Sequence, residues 1–149
     1  MNIDEALKKI GEIGIVPVVR AASFEEARQA VDAICAGGIP VIEITMTVPN
    51  APAMIREVVR KYGDKVLTGA GTVLRSEQAT ECLDAGAEFL VSPGLSVPVI
   101  KTAQARGKLA IPGALTPTEL MMASLEGARV IKIFPCENKI GRASCRERV

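Results

Sequence analysis

The chain has 149 residues, 48% hydrophobic and 23% charged, with a formal net charge of +1, the balance of one globular domain with a substantial core. Histidine is absent, which excludes a Ser-His-Asp triad, a Cys-His pair and any His-ligated metal, and leaves chemistry to Lys, Glu, Asp, Arg, Cys and hydroxyls. Tryptophan is absent too, the aromatics are Phe24, Tyr62, Phe89 and Phe134, and the charge is near neutral; neither a stacking platform for nucleic acid nor a phosphate-backbone binder is supported.

Cys35, Cys82, Cys136 and Cys145 lie far apart without C-x-x-C spacing, so neither a zinc ribbon nor a redox pair is indicated. Cys35 and Cys82 fall on apolar-periodic stretches and read as buried thiols. The start carries Asp4, Glu5, Lys8, Lys9 and Glu12, unlike a signal peptide, and no apolar run approaches the ~18 residues that span a bilayer. A reducing cytoplasm is the expected setting.

In chain order, a helix over 3–13 precedes the first of six β-branched segments, 15–20, 40–46, 66–70, 88–91, 109–112 and 130–134, each a candidate buried strand. Ala27, Ala30, Val31, Ile34 and Cys35 recur at helical spacing between the first two, with Ser23 and Glu26 as a capping box and Gly37-Gly38 as the stop. Thr116-Pro117-Thr118-Glu119 repeats the start signal. Strand starts roughly 21 to 26 residues apart give one strand, one helix and two short loops each. The pattern predicts an α/β chain of about six βα units with five helices between the strands. Periodicity alone leaves an open doubly wound sheet and a closed barrel both possible. Arg20-Ala-Ala-Ser23 after the first strand argues against a dinucleotide site, which wants G-x-G-x-x-G there. The Gly69-Ala70-Gly71-Thr72 turn presents backbone N–H groups to an anion, as a weak signal.

Six units leave a (β/α)8 barrel, typically roughly 200 residues or more, two units short. The last ten residues, IGRASCRERV at 140–149, bring three arginines and no apolar periodicity, and resemble a translated sequencing adapter. Residues 1–139 then form the partial barrel, with 15 basic and 16 acidic residues and a net charge of −1. On this reading the chain as given is a poorly stable, inactive fragment with a gap between its first and sixth strands.

Two charges interrupt the apolar strands: Glu43 in VIEIT and Lys132 in VIKIF. Burying an unpaired charge costs several kcal/mol unless it is neutralised or partnered, and both lie near C-terminal strand ends, where parallel βα arrays form their sites. Desolvation lowers a lysine's pKa and frees its amine to attack a ketone; the resulting iminium is an electron sink for a neighbouring C–C bond. A carboxylate beside it moves the protons, and Glu43 is the only acidic residue within a predicted strand core. The plainer readings are a structural ion pair between Lys132 and Glu43, or a lysine guarding an edge strand. Arg20 ends the first strand as a candidate carboxylate anchor or a solvated rim charge. Thr45, Thr47 and Thr72 offer hydroxyls, though threonine is common at strand ends. Ser92-Pro93-Gly94 and Pro112-Gly113 read first as tight turns, with Pro93 kept among the substrate-binding candidates.

PVVR ending at Arg20, IEIT around Glu43, GAGTV at 69–73, VSPG at 91–94, IPG at 111–113, TPTEL at 116–120 and KIFP at 132–135 occur together and in order. This set, over residues 1 to about 138, resembles the 2-keto-3-deoxy-6-phosphogluconate/4-hydroxy-2-oxoglutarate (KDPG/KHG) aldolases, class I aldolases on a (β/α)8 barrel, typically trimeric. The resemblance implies Lys132 as Schiff-base lysine, Glu43 as general acid/base, Thr72 as a pyruvate-carboxylate contact and Arg20 as the family's strand-one arginine. It also implies a small 2-keto acid substrate, no metal and no organic cofactor. Thr47 stands where many members carry a carboxylate-binding arginine, so more of that duty falls on Arg20 and Thr72. The family's phosphate-binding glycine turns follow strands seven and eight, which this chain lacks. Two rivals remain: a barrel lyase or isomerase for another phosphosugar, and an inactive remnant.

Overall fold

In a computed structural model, which describes residues 1–136, the chain alternates helix and strand. The order is α1 (Ile3–Ile13), β1 (Val18–Val19), α2 (Phe24–Ala36), β2 (Val41–Thr45), α3 (Ala51–Tyr62), a 3₁₀ turn (Gly63–Lys65), β3 (Leu67–Gly71), α4 (Ser76–Asp84), β4 (Phe89–Val91), α5 (Val97–Ala105), β5 (Leu109–Ile111), β6 (Gly113–Ala114), α6 (Pro117–Leu125) and β7 (Lys132–Ile133). The expected non-native tail at 140–149, and the end of the 1–139 domain, lie outside the described residues.

Every strand pair is parallel: β1 to β5 form one sheet in chain order, and β6 pairs with β7. The expectation of consecutive βα units of a (β/α)8 barrel is met. One prediction is corrected: Pro112-Gly113 is not a tight turn but the bend that splits the fifth strand into β5 and β6. The Pro112 carbonyl accepts from the Lys132 N–H at 2.9 Å and the Ala114 carbonyl from the Phe134 N–H at 3.1 Å. Pro112 has no N–H for the ladder, and a Cβ on Gly113 would lie 2.2 Å from the Pro93 carbonyl oxygen, so only glycine lets the strand pass there. β1 and β7 are also shorter than the predicted segments 15–20 and 130–134. Among the described residues each pairs on one side only and the two do not pair with each other, which matches the expected gap; Val18 and Ile133 are exposed beside it.

The helix starts follow the side chains. Asn2 and Glu5 close a reciprocal capping box on α1, and Thr116 and Glu119 close the predicted one on α6. At α2 the box is half-formed: Ser23 Oγ accepts from the Glu26 N–H at 3.2 Å, but the Glu26 carboxylate reaches one residue further back, to the Ala22 N–H at 3.0 Å.

Alternation along the strands creates two apolar layers. Val41, Leu67, Phe89, Val91, Leu109 and Ile111 face inward, where Ala6 of α1 joins them with Ile3, Leu7, Ile10 and Ile13 packed alongside. Ile42, Ile44, Ala70 and Leu90 face outward against α2 to α5, meeting Val31, Met54, Ile55, Val58 and Ile100. Each large side chain buried this way contributes about 1.5–3 kcal/mol. The helix ahead of the first strand thus covers the N-terminal ends of the strands, where Lys9 Nζ donates to the Asp64 and Lys65 carbonyls at 3.1 and 3.3 Å.

Thr68 lies in the outer layer, 1% exposed, and its Oγ1 has no hydrogen-bond partner among the described residues. A buried hydroxyl without a partner costs about 1–3 kcal/mol. Thr68→Val, which keeps the shape, is therefore expected to raise stability by about 1 kcal/mol, read as a higher urea midpoint at unchanged slope. A lower midpoint would show that the hydroxyl is bonded after all.

Candidate functional site

Because all strands run parallel, the residues at their C-terminal ends share one mouth. Arg20 follows β1, Thr45 ends β2 with Glu43 two residues before it, Thr72 follows β3 and Pro93 follows β4; Lys132 opens the two-residue β7, close enough for its charge to act on Glu43. The register pairs Glu43 with Val18 on one side and Gly69 on the other. Glu43, like Val41 before it and Thr45 after it, points inward.

Glu43 is 4% exposed and fits only because Gly71 has no side chain: a Cβ there would lie 1.9 Å from Glu43 Oε1. The glycines of GAGT therefore have a use the sequence reading did not find. Gly71 makes room for the carboxylate, and Gly69 for the Phe89 ring, whose nearest atoms a Cβ would approach to 2.3 Å. Thr72, next along, adopts φ +58°, a left-handed conformation that is rare for a β-branched residue and costs of order 1–3 kcal/mol. Such strain collects at ligand sites. No local sequence signal announces it.

Burial pushes the Glu43 carboxyl above its ordinary 4.5, and the charges of Lys132 and then Arg20 pull it partway back. Folding thus tightens the proton on Glu43. Between 4.5 and the raised value the native state holds more protons than the unfolded one, so stability falls as pH rises through that window. The cost is complete above the window and absent below it. Glu43→Gln, which cannot ionise, is expected to melt higher than the parent at about pH 8 and to lose that advantage below about pH 4.5. An advantage independent of pH would exclude the ionised carboxylate as its source.

Lys132 departs from the sequence expectation: it is half-buried, not enclosed in an apolar strand, because β7 lies at the open edge and the following Ile133 is 43% exposed. Its Nζ stands 5.0 Å from the centre of the Phe134 ring. No ion pair among the described residues involves Lys132 or Glu43, so a direct structural pair is not what holds them at this end.

Arg20 is exposed and forms no ion pair among the described residues, while its charge reaches Glu43. Thr47 is exposed at the rim, its hydroxyl 2.6 Å from that of Thr45. Thr45 in turn donates to the Val19 carbonyl at 3.0 Å. Thr45 has a single proton, so Thr47 is the donor between them, and in this arrangement Thr47 offers a ligand lone pairs and not its hydrogen. Pro93 is half-buried, its carbonyl against Gly113, and the neighbouring Ser92 hydroxyl donates to the Gly94 carbonyl at 2.7 Å. A hollow of about 430 Å³ lined by Asp32, Cys35, Ile39, Pro40, Tyr62 and Val66 opens at the opposite ends of β2 and β3, away from these groups. Among the described residues no His/Cys/Asp/Glu cluster has the makings of a metal site and no helix is long and apolar enough to cross a membrane.

The mouth therefore combines a buried carboxyl with raised proton affinity, a lysine amine and an arginine, a set suited to proton transfer beside an anionic carbonyl compound. The family model for KDPG and KHG aldolases matches residues 3–146, a span that includes Glu43 and Lys132. The KHG/KDPG aldolase of Escherichia coli strain K12 is 37% identical over 123 residues, 83% of this chain and 57% of that protein. The 2-dehydro-3-deoxy-6-phosphogalactonate aldolase of the same strain is 35% identical over 124 residues, 83% of this chain and 60% of that protein. A crystal structure of KDPG aldolase from Legionella pneumophila, with pyruvate captured as a covalent carbinolamine, superposes with a TM-score of 0.75 at 33% identity, covering 81% of this chain and 58% of that one. The chain spans less than two thirds of the length of each of these relatives. Nothing in these likenesses favours the inactive-remnant alternative.

Proposed function

We propose, for a chain that belongs to the KDPG and KHG aldolase family, that the whole protein is a Schiff-base lyase releasing pyruvate from a 2-keto acid. The Lys132 amine adds to the C2 ketone, and Glu43 protonates the carbinolamine hydroxyl so that it leaves as water. Glu43, now ionised, takes the C4 hydroxyl proton as the C3–C4 bond breaks. The bond's electron pair moves to the iminium, giving an enamine and a free aldehyde. Glu43 then gives that proton to C3, and water hydrolyses the iminium to pyruvate and free Lys132, the proton released returning to Glu43 for the next cycle. With KDPG the aldehyde is glyceraldehyde 3-phosphate, and with KHG it is glyoxylate. Arg20 and Thr72, with Thr47 and Pro93 at the rim, form the substrate-binding set.

The observation that carries this reading is the Glu43 carboxyl, 4% exposed and with its proton held more tightly than usual, at the strand-end mouth it shares with Lys132. A carboxyl whose proton burial holds more tightly than usual, with two cations close enough to favour its ionised form, suits a shuttle that acts first as acid and then as base. The crystallographic carbinolamine of the Legionella relative supports covalent pyruvate chemistry in the family. The test is borohydride reduction of the protein in the presence of pyruvate, followed by peptide mass mapping. A stable adduct on Lys132 is expected, whereas another barrel lyase or isomerase leaves the lysines unmodified. Comparing kcat/KM for KDPG, KHG and the phosphogalactonate analogue then decides the substrate. A cytoplasmic homotrimer belongs to the same proposal, and sedimentation equilibrium of the whole protein checks the trimer.

A further inference from the structure

β1 ends at Val19, and Arg20 leaves the sheet exposed and without an ion pair among the described residues. A long side chain on a free rim position samples many rotamers, and an anion that orders it must offset that entropy. What steadies Arg20 lies one residue back. The Val19 carbonyl accepts the hydroxyl of Thr45, which is fully buried, at 3.0 Å, and Thr47 donates to Thr45 at 2.6 Å. The three groups form a one-way chain from the rim inward, because the carbonyl at its end has no proton to give. It ties the end of β1 to the end of β2 just beyond the last paired residues, Val19 and Ile44. Holding that carbonyl holds the plane of the Val19–Arg20 peptide, and with it the direction in which the Arg20 side chain sets out.

We propose that Thr45 is a positioning residue: its hydroxyl, backed by Thr47, holds the Val19–Arg20 peptide so that the Arg20 guanidinium stands ready at the mouth for an anionic substrate group, the carboxylate of a 2-keto acid. The aldolase reading enters only in what Arg20 is held there to bind. The orientation itself rests on the Thr47–Thr45–Val19 chain.

Thr45→Val keeps the shape and removes the hydroxyl, and Thr45→Ser keeps the hydroxyl. Three readings are taken on the whole protein: nitrogen-15 relaxation of the Arg20 amide and Nε, carbon-13 titration of the Glu43 carboxyl, and the pyruvate concentration giving half-maximal borohydride trapping. Among the described residues the groups facing Glu43 are the charges of Lys132 and Arg20 and the backbone of Gly71, and of these Arg20 is the one tied to Thr45. Thr45→Val is expected to loosen Arg20, to move the Glu43 titration upward as less positive charge reaches it, and to raise half-saturating pyruvate about tenfold at unchanged maximal trapping. Thr45→Ser is expected to restore all three. If Thr45→Val leaves the Arg20 relaxation and the Glu43 titration at parent values, the proposal is wrong, whatever happens to the melting temperature. A parent that traps no pyruvate overturns the aldolase reading, and the first two readings still decide the role of Thr45. If Thr45→Val does not fold, Thr45→Cys, a weak donor of serine's size, is read in its place.

Discussion

Lys132→Ala is expected to abolish borohydride-dependent trapping of pyruvate, while Lys101→Ala and Lys108→Ala trap like the parent. The contrast follows from position. Lys101 lies on the outer helix α5 in an ion pair with Glu126 at 2.8 Å, and Lys108 precedes β5 at the opposite end of the strands, paired with Glu88 at 2.6 Å. Lys132 opens a strand at the mouth, forms no ion pair among the described residues, and is close enough for its charge to reach Glu43. An amine already paired with a carboxylate has to give up that bond before it meets a ketone, whereas Lys132, unpaired among the described residues, lies over the face of Phe134. Full trapping by Lys132→Ala, or an adduct mapped to another lysine, would remove the Schiff-base mechanism as drawn.

The second large effect is the loss of aldol turnover in Glu43→Gln, by roughly 10²–10⁴, the usual range for a missing acid/base group. Imine formation continues in this variant at a reduced rate, because the amide still occupies the carboxyl's place but moves no proton. Gly71→Ala reaches the same end by another route. Its Cβ falls 1.9 Å from Glu43 Oε1, so the carboxylate has to leave its niche although the residue itself is intact. Turnover in Gly71→Ala is expected to fall in the same direction, and the double variant to be little worse than Glu43→Gln alone, since both changes remove one group's action. Single-turnover assays with the aldol substrate, alongside trapping rates, read both. Parental turnover in Glu43→Gln would reduce the carboxylate to a structural group, and a double variant losing the product of the two single effects would separate Gly71 from Glu43.

The βα order was legible from the chain because each unit is a local matter. Apolar runs of four to seven residues, helical spacing between them, and caps such as Thr116 with Glu119 act over a few residues and need no distant partner. Glu43 and Lys132 stand out as candidates for the same reason: a charge inside an apolar run of sequence is visible wherever that run ends up. What the sequence could not reveal depends on residues far apart in the chain. Thr45 meets the Val19 carbonyl across 26 positions, Glu43 rests over Gly71 only because β2 and β3 adopt one register, and a shift of one residue would turn both inward-facing groups toward the helices. Pro112-Gly113 reads as a turn from the sequence because what excludes a side chain at Gly113, the Pro93 carbonyl, comes from another unit. Lys132 was expected to be deeply buried, and its half-exposure follows from the place of β7 at an open edge. Strand composition cannot report that place, since burial depends on how many neighbours the assembled sheet supplies.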